Sequence, residues 1–441
     1  MTAKIDPVVA KSAKQGHTVG ILVLVEKEEH PGVAPLALQA NLQKVGERTE
    51  DVARKARDLL LAPQARHTAA EAVGARPLGV VSKARTEPGG VVLENLGAVM
   101  AAVTPENLAK LSEVRGVRKV IAMPTFLPLI APTQYDIAAP AELVDGAVQS
   151  LQRAGVPTMW DRGLSGKGVT IGHFDTGINA KHPTFAQLKQ EKRLRYAAFG
   201  ADGARIQRAR ARDFDIEGIV HHGTHTAGTL VGDVVDGTRV GIAPGAHLVS
   251  VQIFPQPAPD RKDQDQVVVN ALNWIVGERP RVLNLSFGDS SYNDSYLGVI
   301  DELIDQNIVV VAAVGNGGAR TSSSPGNYAR VIGVGAVNEH NQVCDFSGSA
   351  SVRRSKRPDL CAPGFKILSA GRGDEFAHLS GTSAAAPHVA AVLALLLQRA
   401  PDLSPDNLKK RLIKSAYVPH NWDARRGGAG VLDGAALLSD L

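Results

Sequence analysis

The chain has 441 residues, of which 44% are hydrophobic and 21% are charged, proportions typical of folded globular proteins. This composition excludes a disordered chain and a charge-rich coiled coil, and the longest purely apolar run, residues 389–397, is too short to cross a bilayer. The formal net charge of +5 is small for this length, so neither nucleic acid nor a membrane is expected as a partner.

The N-terminal residues and the two cysteines bear on where the protein works. Residues 1–20 contain three lysines but lack the apolar core of a signal peptide, which predicts a cytoplasmic protein. A secreted protein whose leader had been removed would have the same sequence, so secretion stays an alternative. Cys344 and Cys361 cannot build a disulfide framework or a cysteine-based zinc site, and we expect a buried free pair.

The first part of the chain predicts a small α+β unit. Strand-like runs occupy residues 18–25, 97–103 and 117–122. A charged helical stretch covers residues 47–61, and a second helix is predicted after the N-cap Thr104 and Pro105. This order of elements predicts a split βαβ sandwich of the ferredoxin-like kind.

A proline-rich apolar connector follows over residues 123–140, and its composition predicts that it resists regular structure. We place the domain boundary within this connector. The N-terminal unit and its connector then cover residues 1–135, and a second domain covers residues 136–441.

The second domain alternates β-branched runs with helical patterns, which predicts an α/β fold. The predicted strands are residues 169–174, 247–254, 281–287, 308–314 and 330–337. Helices are predicted at 266–277 and 297–305, where apolar residues recur at helical spacing. Near-continuous apolar strands indicate a doubly wound, mostly parallel sheet with helices on both faces.

Four polar segments stand at the ends of these elements, where an open α/β sheet binds its ligands. Asp175 ends the first strand of the domain, His222 precedes an apolar helical run, Asn316 follows a strongly apolar strand, and Ser383 opens a long helix. Each alone has an ordinary explanation. Asp and Asn are common turn residues, Ser is a common helix cap, and two histidines three residues apart resemble half a metal site.

Together these segments resemble the subtilisin-like serine proteases, the subtilase family, from about residue 155 to the C-terminus. The matching motifs are Asp-Thr-Gly at 175–177, His-Gly-Thr-His at 222–225, Gly-Asn-Gly at 315–317 and Gly-Thr-Ser-Ala-Ala-Ala-Pro at 381–387. The resemblance implies a subtilisin-like fold and a serine endopeptidase that works through an acyl-enzyme. It assigns Asp175, His222 and Ser383 to a catalytic triad and Asn316 to the oxyanion hole.

The same resemblance implies that Leu285–Gly288 binds the backbone of protein or peptide substrates as an added strand. We therefore expect five further substrate-binding residues, Ser286, Phe287, Gly288, Ala313 and Gly315. Because these residues are small or apolar, large uncharged side chains are expected at P1, the substrate residue before the cleaved bond. Gly288-Asp289-Ser290 is similar to another family's serine motif, but we expect a surface turn there. His225 is expected to be a hydrogen-bonded structural neighbour of the site.

The chain departs from the family pattern in several places. Thr226 stands where the family usually has valine, and Ala384 stands where methionine is common. The long segment before His222 contains four arginines, which predict a solvated loop or a contact with an acidic partner. Residues 233–239 correspond to a calcium-binding loop in many subtilases, but Val235 stands where a side-chain oxygen ligand would be expected. No cofactor is expected for the chemistry, and whether a structural calcium ion binds is left open.

The N-terminal unit resembles the prodomain of the same family in the order of its elements. This implies a zymogen that cleaves itself within residues 123–146, with Leu129, Ile130 and Tyr135 favoured as the residues before the cut. The N-terminal unit would be an intramolecular inhibitor of the protease, and the released fragment would inhibit it as well. A permanently attached regulatory domain is the first alternative. A pseudoprotease that only binds peptides is the second.

Overall fold

The computed structural model describes residues 4–15, 19–25, 91–93, 95–103, 108, 111, 114, 117–123, 134–137, 146–207, 209–211, 221–253, 261–289, 291–353 and 355–439. The helix predicted at 47–61 lies outside the described residues, as do Leu129 and Ile130. Of the helix predicted after Thr104, Leu108 and Leu111 are described, and both are helical and buried.

The strands are β1 (Lys4–Ile5), β2 (Val19–Val25), β3 (Val91–Leu93), β4 (Ala98–Val103), β5 (Val117–Ala122), β6 (Gln134–Ile137), β7 (Thr170–Asp175), β8 (Leu194–Ala198), β9 (Val234–Val235), β10 (Thr238–Arg239), β11 (His247–Gln252), β12 (Val282–Leu285), β13 (Val309–Ala313), β14 (Ile332–Val337), β15 (Ser351–Val352), β16 (Ser355–Lys356), β17 (Leu360–Pro363), β18 (Ile367–Ala370) and β19 (Phe376–Ser380). The helices are Pro7–Lys14, Gly146–Arg153, Val156–Asp161, Ala186–Gln190, His222–Val231, Arg261–Gly277, Leu297–Asp305, Thr382–Arg399, Pro405–Ser415, Ala424–Gly427 and Gly434–Leu437, with a 3-10 turn at Pro183–Phe185. Among the described residues, no helix is long and apolar enough to span a membrane.

The chain divides into two compact units. The first comprises Met1–Phe126, Phe199–Arg205 and Gln256–Gly277, and the second comprises Leu127–Ala198, Ile206–Pro255 and Glu278–Leu441. The boundary expected between residues 135 and 136 falls inside β6, within the second unit, because β6 pairs with β19 there.

The first unit contains a five-stranded sheet in the order β1-β5-β2-β4-β3. Strands β5, β2, β4 and β3 pair with one another in antiparallel fashion. Strand β1 pairs with the outer edge of β5 in parallel. This is the strand order of the predicted split βαβ fold. One face packs a small aliphatic core of Val9, Ile21, Val23, Val99, Leu108, Leu111, Val117 and Val120.

The first unit also holds the helix Arg261–Gly277, which contacts the turn before β4. Asn273 Oδ1 accepts hydrogen bonds from the backbone N–H groups of Asn95 and Leu96, at 3.0 and 3.1 Å. The side chain of Asn95 donates to the carbonyl of Asn273 at 2.9 Å. Trp274 lies on the same helix, and the Arg205 guanidinium stacks over its ring at 5.2 Å. This contact gives one of the four arginines before His222 a packed position.

The second unit is built on a seven-stranded parallel sheet in the order β17-β14-β13-β12-β7-β11-β8. The five strands predicted for this domain are confirmed, with ends that differ by up to two residues. β8 and β17 were not predicted because they are short edge strands. The helix Thr382–Arg399 is buried along most of its length and packs against five strands of this sheet, which explains why its sequence is apolar all round.

The chain order reverses beside β7, which lies between β11 and β12. In open α/β sheets such a reversal leaves a crevice at the carboxyl ends of the strands. Here those ends carry Asp175 from β7, Ser286 from just after β12 and Asn316 from just after β13. The topology therefore gathers side chains that are far apart in the sequence.

A separate three-stranded antiparallel sheet has the order β18-β19-β6. The prediction that the whole connector resists regular structure is therefore wrong over Gln134–Ile137. These residues pair with β19, with Tyr135 opposite Leu379 and Gln134 opposite Ser380. The pairing is compatible with the proline-rich sequence because Pro132 and Pro140 flank the strand and do not interrupt it.

Candidate active site

The carboxylate of Asp175 lies buried at the end of β7 and is held on both oxygens. Oδ1 accepts from the backbone N–H of Thr176 at 2.8 Å and from His222 Nδ1 at 2.7 Å. Oδ2 accepts from the Thr226 hydroxyl at 3.0 Å. Burial alone would raise the pKa of Asp175, but the neighbouring His222 and His173 rings outweigh it and lower this pKa well below its usual range. The group is therefore an ionised acceptor, which requires His222 Nδ1 to donate.

His222 is the first residue of the helix His222–Val231, which we call the His222 helix. The next residue must be small, because a Cβ on Gly223 would lie 2.1 Å from the carbonyl oxygen of Gly177. The N–H of Gly223 also donates to the Thr176 hydroxyl at 2.9 Å. This close approach brings the start of the helix against the end of β7 and sets the His222 ring against Asp175.

Ser383 is the second residue of the helix Thr382–Arg399, which we call the Ser383 helix. Its carbonyl accepts a hydrogen bond from the Ser286 hydroxyl at 2.9 Å, and Asn284 in turn donates to that hydroxyl at 2.9 Å. Ser383 Oγ makes no hydrogen bond to another described residue. Catalytic hydrogen bonds are often long in the absence of substrate, so this geometry is compatible with a nucleophile. The helix N-terminus adds a positive dipole end beside the serine.

Asn316 follows β13 through a turn that needs glycine. Gly315 has φ +97°, and a Cβ there would lie 2.2 Å from Ser323 Oγ. Asn316 Oδ1 accepts from the Thr382 backbone N–H at 2.8 Å and from its hydroxyl at 2.9 Å. Because the amide oxygen is used in this way, the NH2 group is the part of Asn316 that can donate to a ligand.

One cleft brings these groups together. Its lining contains eight of the nine residues predicted for the site, namely His222, Ser286, Phe287, Gly288, Ala313, Gly315, Asn316 and Ser383. The ninth, Asp175, lies behind His222. Two further lining residues, Ser323 and Thr382, were not predicted. Thr382 stands inside the serine motif and could have been found there, whereas nothing in the local sequence marks Ser323.

The other histidine of the His222 helix has a structural position. His225 is fully buried, and its Nε2 lies 2.8 Å from the carbonyl oxygen of Ile367 and 3.2 Å from that of Ala377. Burial lowers the pKa of His225 to about 3, so the ring is neutral and donates from Nε2. This agrees with the expected role as a hydrogen-bonded neighbour.

His173 is a polar residue near the site that the sequence analysis did not consider. It lies two residues before Asp175 in β7 and is fully buried. Its Nδ1 is 3.0 Å from Ser250 Oγ, and its Nε2 is 2.9 Å from Thr226 Oγ1. A histidine inside an otherwise apolar strand was the available signal.

The segment that resembles a calcium loop forms the hairpin of β9 and β10. The carboxylate of Asp233 accepts from the Val234 N–H at 2.7 Å, and its carbonyl oxygen accepts from the Thr184 hydroxyl at 2.9 Å. Val234 and Val235 supply no oxygen side chain, and no cluster of three metal-binding side chains occurs among the described residues. The two valines therefore contribute no side-chain oxygen ligand to this hairpin.

Comparison with known proteins gives consistent matches. The family model described as "Subtilase family" matches residues 166–433, more than half of the chain. The subtilisin-like protease PopC of Myxococcus xanthus is 28% identical over 386 residues, covering 80% of this chain and 78% of that protein. Subtilisin E of Bacillus subtilis is 29% identical over 305 residues, covering 68% and 74% respectively.

Solved structures give the same fold. A cold-adapted subtilisin-like serine proteinase matches with a TM-score of 0.50 and 27% identity, covering 62% of this chain and 90% of that chain.

Proposed function

Because this chain belongs to the subtilase family, we propose that its serine endopeptidase activity is carried by Asp175, His222 and Ser383, with Asn316 in the oxyanion hole. The observation that carries this assignment is the 2.7 Å contact of His222 Nδ1 with Asp175, made by a histidine that lines the same cleft as Ser383 and Asn316. Protein or peptide chains are the substrates.

Each residue has a defined role in the proposed reaction. Ser383 Oγ attacks the peptide carbonyl carbon while His222 Nε2 takes the hydroxyl proton, and the carbonyl oxygen becomes an oxyanion. The Asn316 NH2 group and the Ser383 backbone N–H donate to that oxyanion. The C–N bond then breaks as His222 returns the proton to the leaving amine, and water hydrolyses the acyl-enzyme by the same steps. Asp175 keeps the His222 ring in the required tautomer.

A fluorophosphonate label and one substitution test this proposal. The label should modify Ser383, and Ser383→Ala should abolish labelling and lower kcat about a million-fold. Ser290→Ala, in the motif that we expect to be a surface turn, is the matched control and should keep both. Ordinary turnover by Ser383→Ala would disprove the assignment. A protein that binds peptides but never takes the label would support a peptide-binding role.

We also propose that large uncharged P1 side chains are preferred. The described lining residues of the cleft carry no carboxylate and no lysine or arginine, and His222 is the one titratable side chain among them. A basic P1 side chain would therefore lose its hydration without gaining an ion pair. Cleavage of a mixed peptide library should favour residues such as Phe and Leu. A strict preference for Arg or Lys would contradict the proposal.

The part of the first unit that precedes the connector, Met1–Phe126, is proposed to act as a prodomain that is cut off between residues 123 and 146 and then inhibits the protease. The split βαβ strand order and the position before the connector support this role. The pairing of β6 with β19 makes Tyr135 a poorer cleavage site than the sequence alone suggests, because a paired backbone must be released before it can enter a cleft. A tethered segment reaches the site at an effective concentration of roughly millimolar, so first cleavage should be intramolecular.

Mass measurement of purified protein separates this proposal from its alternative. The wild type should yield two fragments at a rate independent of protein concentration, whereas Ser383→Ala should stay at full length. Addition of the released fragment should inhibit the processed enzyme. If active wild-type protein stays a single 441-residue chain, the part of the first unit before the connector is a permanently attached regulatory domain. The cytoplasmic location stays a prediction.

A further inference from the structure

A row of buried polar side chains continues from Asp175 away from the cleft. His173 and Asp175 are two residues apart in β7, so their side chains lie on the same face of the sheet. Ser250 is the register partner of His173 on β11. Thr226 lies one helical turn after His222, on the same side of the His222 helix. Two neighbouring strands and one helix thus bring five polar residues together, and each is at most 1% exposed.

The distances link these residues in one order. Ser250 Oγ lies 3.0 Å from His173 Nδ1, and His173 Nε2 lies 2.9 Å from Thr226 Oγ1. Thr226 Oγ1 lies 3.0 Å from Asp175 Oδ2, while the other oxygen of Asp175 binds His222. His173 Nε2 is 3.6 Å from Asp175 Oδ2, so the threonine hydroxyl is the nearer link to this carboxylate.

The chemistry of the groups sets the direction of each bond. Thr226 has one hydroxyl proton, and an ionised carboxylate can only accept, so the proton points to Asp175 Oδ2. The carbonyls of His222 and Gly223 are the competing acceptors, but both are farther away at 3.2 Å and carry no charge. Thr226 Oγ1 then accepts from His173 Nε2–H. The other ring nitrogen of His173 lies within hydrogen-bond distance of the Ser250 hydroxyl, which can donate or accept.

We propose that His173 and Thr226 are positioning residues that hold Asp175 in the orientation it needs to align His222. This inference rests on the proposed triad. One oxygen of Asp175 faces His222, and the hydroxyl on the other oxygen prevents the carboxylate from rotating about its Cβ–Cγ bond. His173 in turn fixes the hydroxyl, because its Nε2–H occupies a lone pair of Thr226 and leaves the hydroxyl proton for the carboxylate.

Two substitutions of Thr226 separate positioning from packing. Thr226→Val keeps the shape of the side chain and removes the hydroxyl, whereas Thr226→Ser keeps the hydroxyl and removes the methyl group. Thr226→Val removes a hydrogen bond to a charged group, so its kcat should fall by about 10- to 100-fold. Its KM should be nearly unchanged, because the row of buried polar side chains lies behind Asp175 and not in the cleft. Thr226→Ser should rescue most of the lost kcat.

Active-site titration makes the comparison independent of how much protein folds. Rates are expressed per titrated site, so misfolded molecules do not count. Thr229→Val is the matched control, since Thr229 lies on the same helix and its hydroxyl binds the carbonyl of His225 at 3.3 Å. If Thr226→Val kept the wild-type kcat per site while Thr226→Ser had a lower one, the proposal would be overturned. That result would show that Thr226 acts through its packing.

A double-mutant cycle tests whether the two residues act together. His173→Leu removes the donor to Thr226 and should lower kcat without changing KM. The His173→Leu/Thr226→Val enzyme should lose no more than the worse single variant, because both changes release the same carboxylate. Additive losses would overturn the linked arrangement, and failure of both single variants to fold would overturn a positioning role.

If Ser383→Ala also kept full activity, the triad itself would be wrong, which is a different result from failure of this inference alone.

Discussion

The two units of this protein use similar residues in their strands but differ in what stands at the strand ends. In the first unit, Ile21, Val23 and Val99 fill one face of the sheet, and many other aliphatic residues would do the same. In the second unit, apolar strands end at Asp175 and lead to Asn316, positions that only a few residue types can occupy. The comparison teaches that the pattern of apolar residues specifies which segments form strands, whereas chemistry depends on single polar residues.

After the loss predicted for Ser383→Ala, the largest expected effect comes from the aspartate of the second unit. Asp175→Asn should lower kcat by about 10⁴-fold, the loss found for triad aspartates in other serine proteases. The amide cannot hold His222 in the tautomer that accepts the Ser383 proton. Steady-state kinetics measure the effect, and Asp202→Asn on the surface is the control. A loss below tenfold would mean that Asp175 only caps the end of β7.

A smaller loss is expected at the oxyanion hole. Asn316→Ala should lower kcat by about 10²- to 10³-fold with little change in KM, because its amide donates to a charge that develops during the reaction. Asn338→Ala, at a turn outside the cleft, is the control. A change confined to KM would show that Asn316 binds the substrate and not the oxyanion.

A reciprocal pair of core substitutions tests whether the two units are energetically separate. Ile21→Ala and Ile332→Ala each remove a fully buried side chain, at a cost of about 2 to 5 kcal/mol in unfolding free energy. Made in the Ser383→Ala protein to prevent self-digestion, the first should speed amide hydrogen exchange in β2, β4 and β5. The second should speed it in β13 and β14. If each substitution affected both sets of strands equally, the units would unfold as one.

The last effect, and the smallest when counted per histidine and per pH unit, is a dependence of stability on pH that belongs to the second unit. Burial lowers the pKa of His225 to about 3 and that of His388 to about 4, whereas both return to about 6.5 in the unfolded chain. Between these values the unfolded chain binds more protons than the folded one. Stability should therefore fall as pH drops from about 6.5 to 4, by up to about 1.4 kcal/mol per unit for each histidine.

Urea unfolding of the Ser383→Ala protein between pH 4 and 7 measures this slope. His388→Gln should make the slope shallower, because one of the two buried groups no longer titrates. His340→Gln, which changes a largely exposed histidine, should leave the slope as it was. A flat profile in the unsubstituted protein would contradict the neutral buried state of both histidines.

Much of the second unit was predictable because its strands are apolar along their whole length. The predicted helix at 297–305 coincides with the observed one, and the strand predicted at 281–287 is shorter because Ser286 and Phe287 leave the ladder to line the cleft. The strands β6, β18 and β19 were not predicted. Each has four or five residues, and β6 pairs with a strand from a distant part of the chain, so local patterns cannot report that pairing.

The sequence by itself determined the candidate catalytic residues, because Asp175, His222, Asn316 and Ser383 belong to motifs of high specificity. It also indicated the α/β class of the second unit and three of the strands of the first unit, since both follow from local apolar periodicity. Only the tertiary structure decided that His173 and Ser250 continue the hydrogen bonds behind Asp175, and that part of the connector is a strand. Those features depend on which strands become neighbours, and that follows from the packing of the whole unit, which no local pattern records.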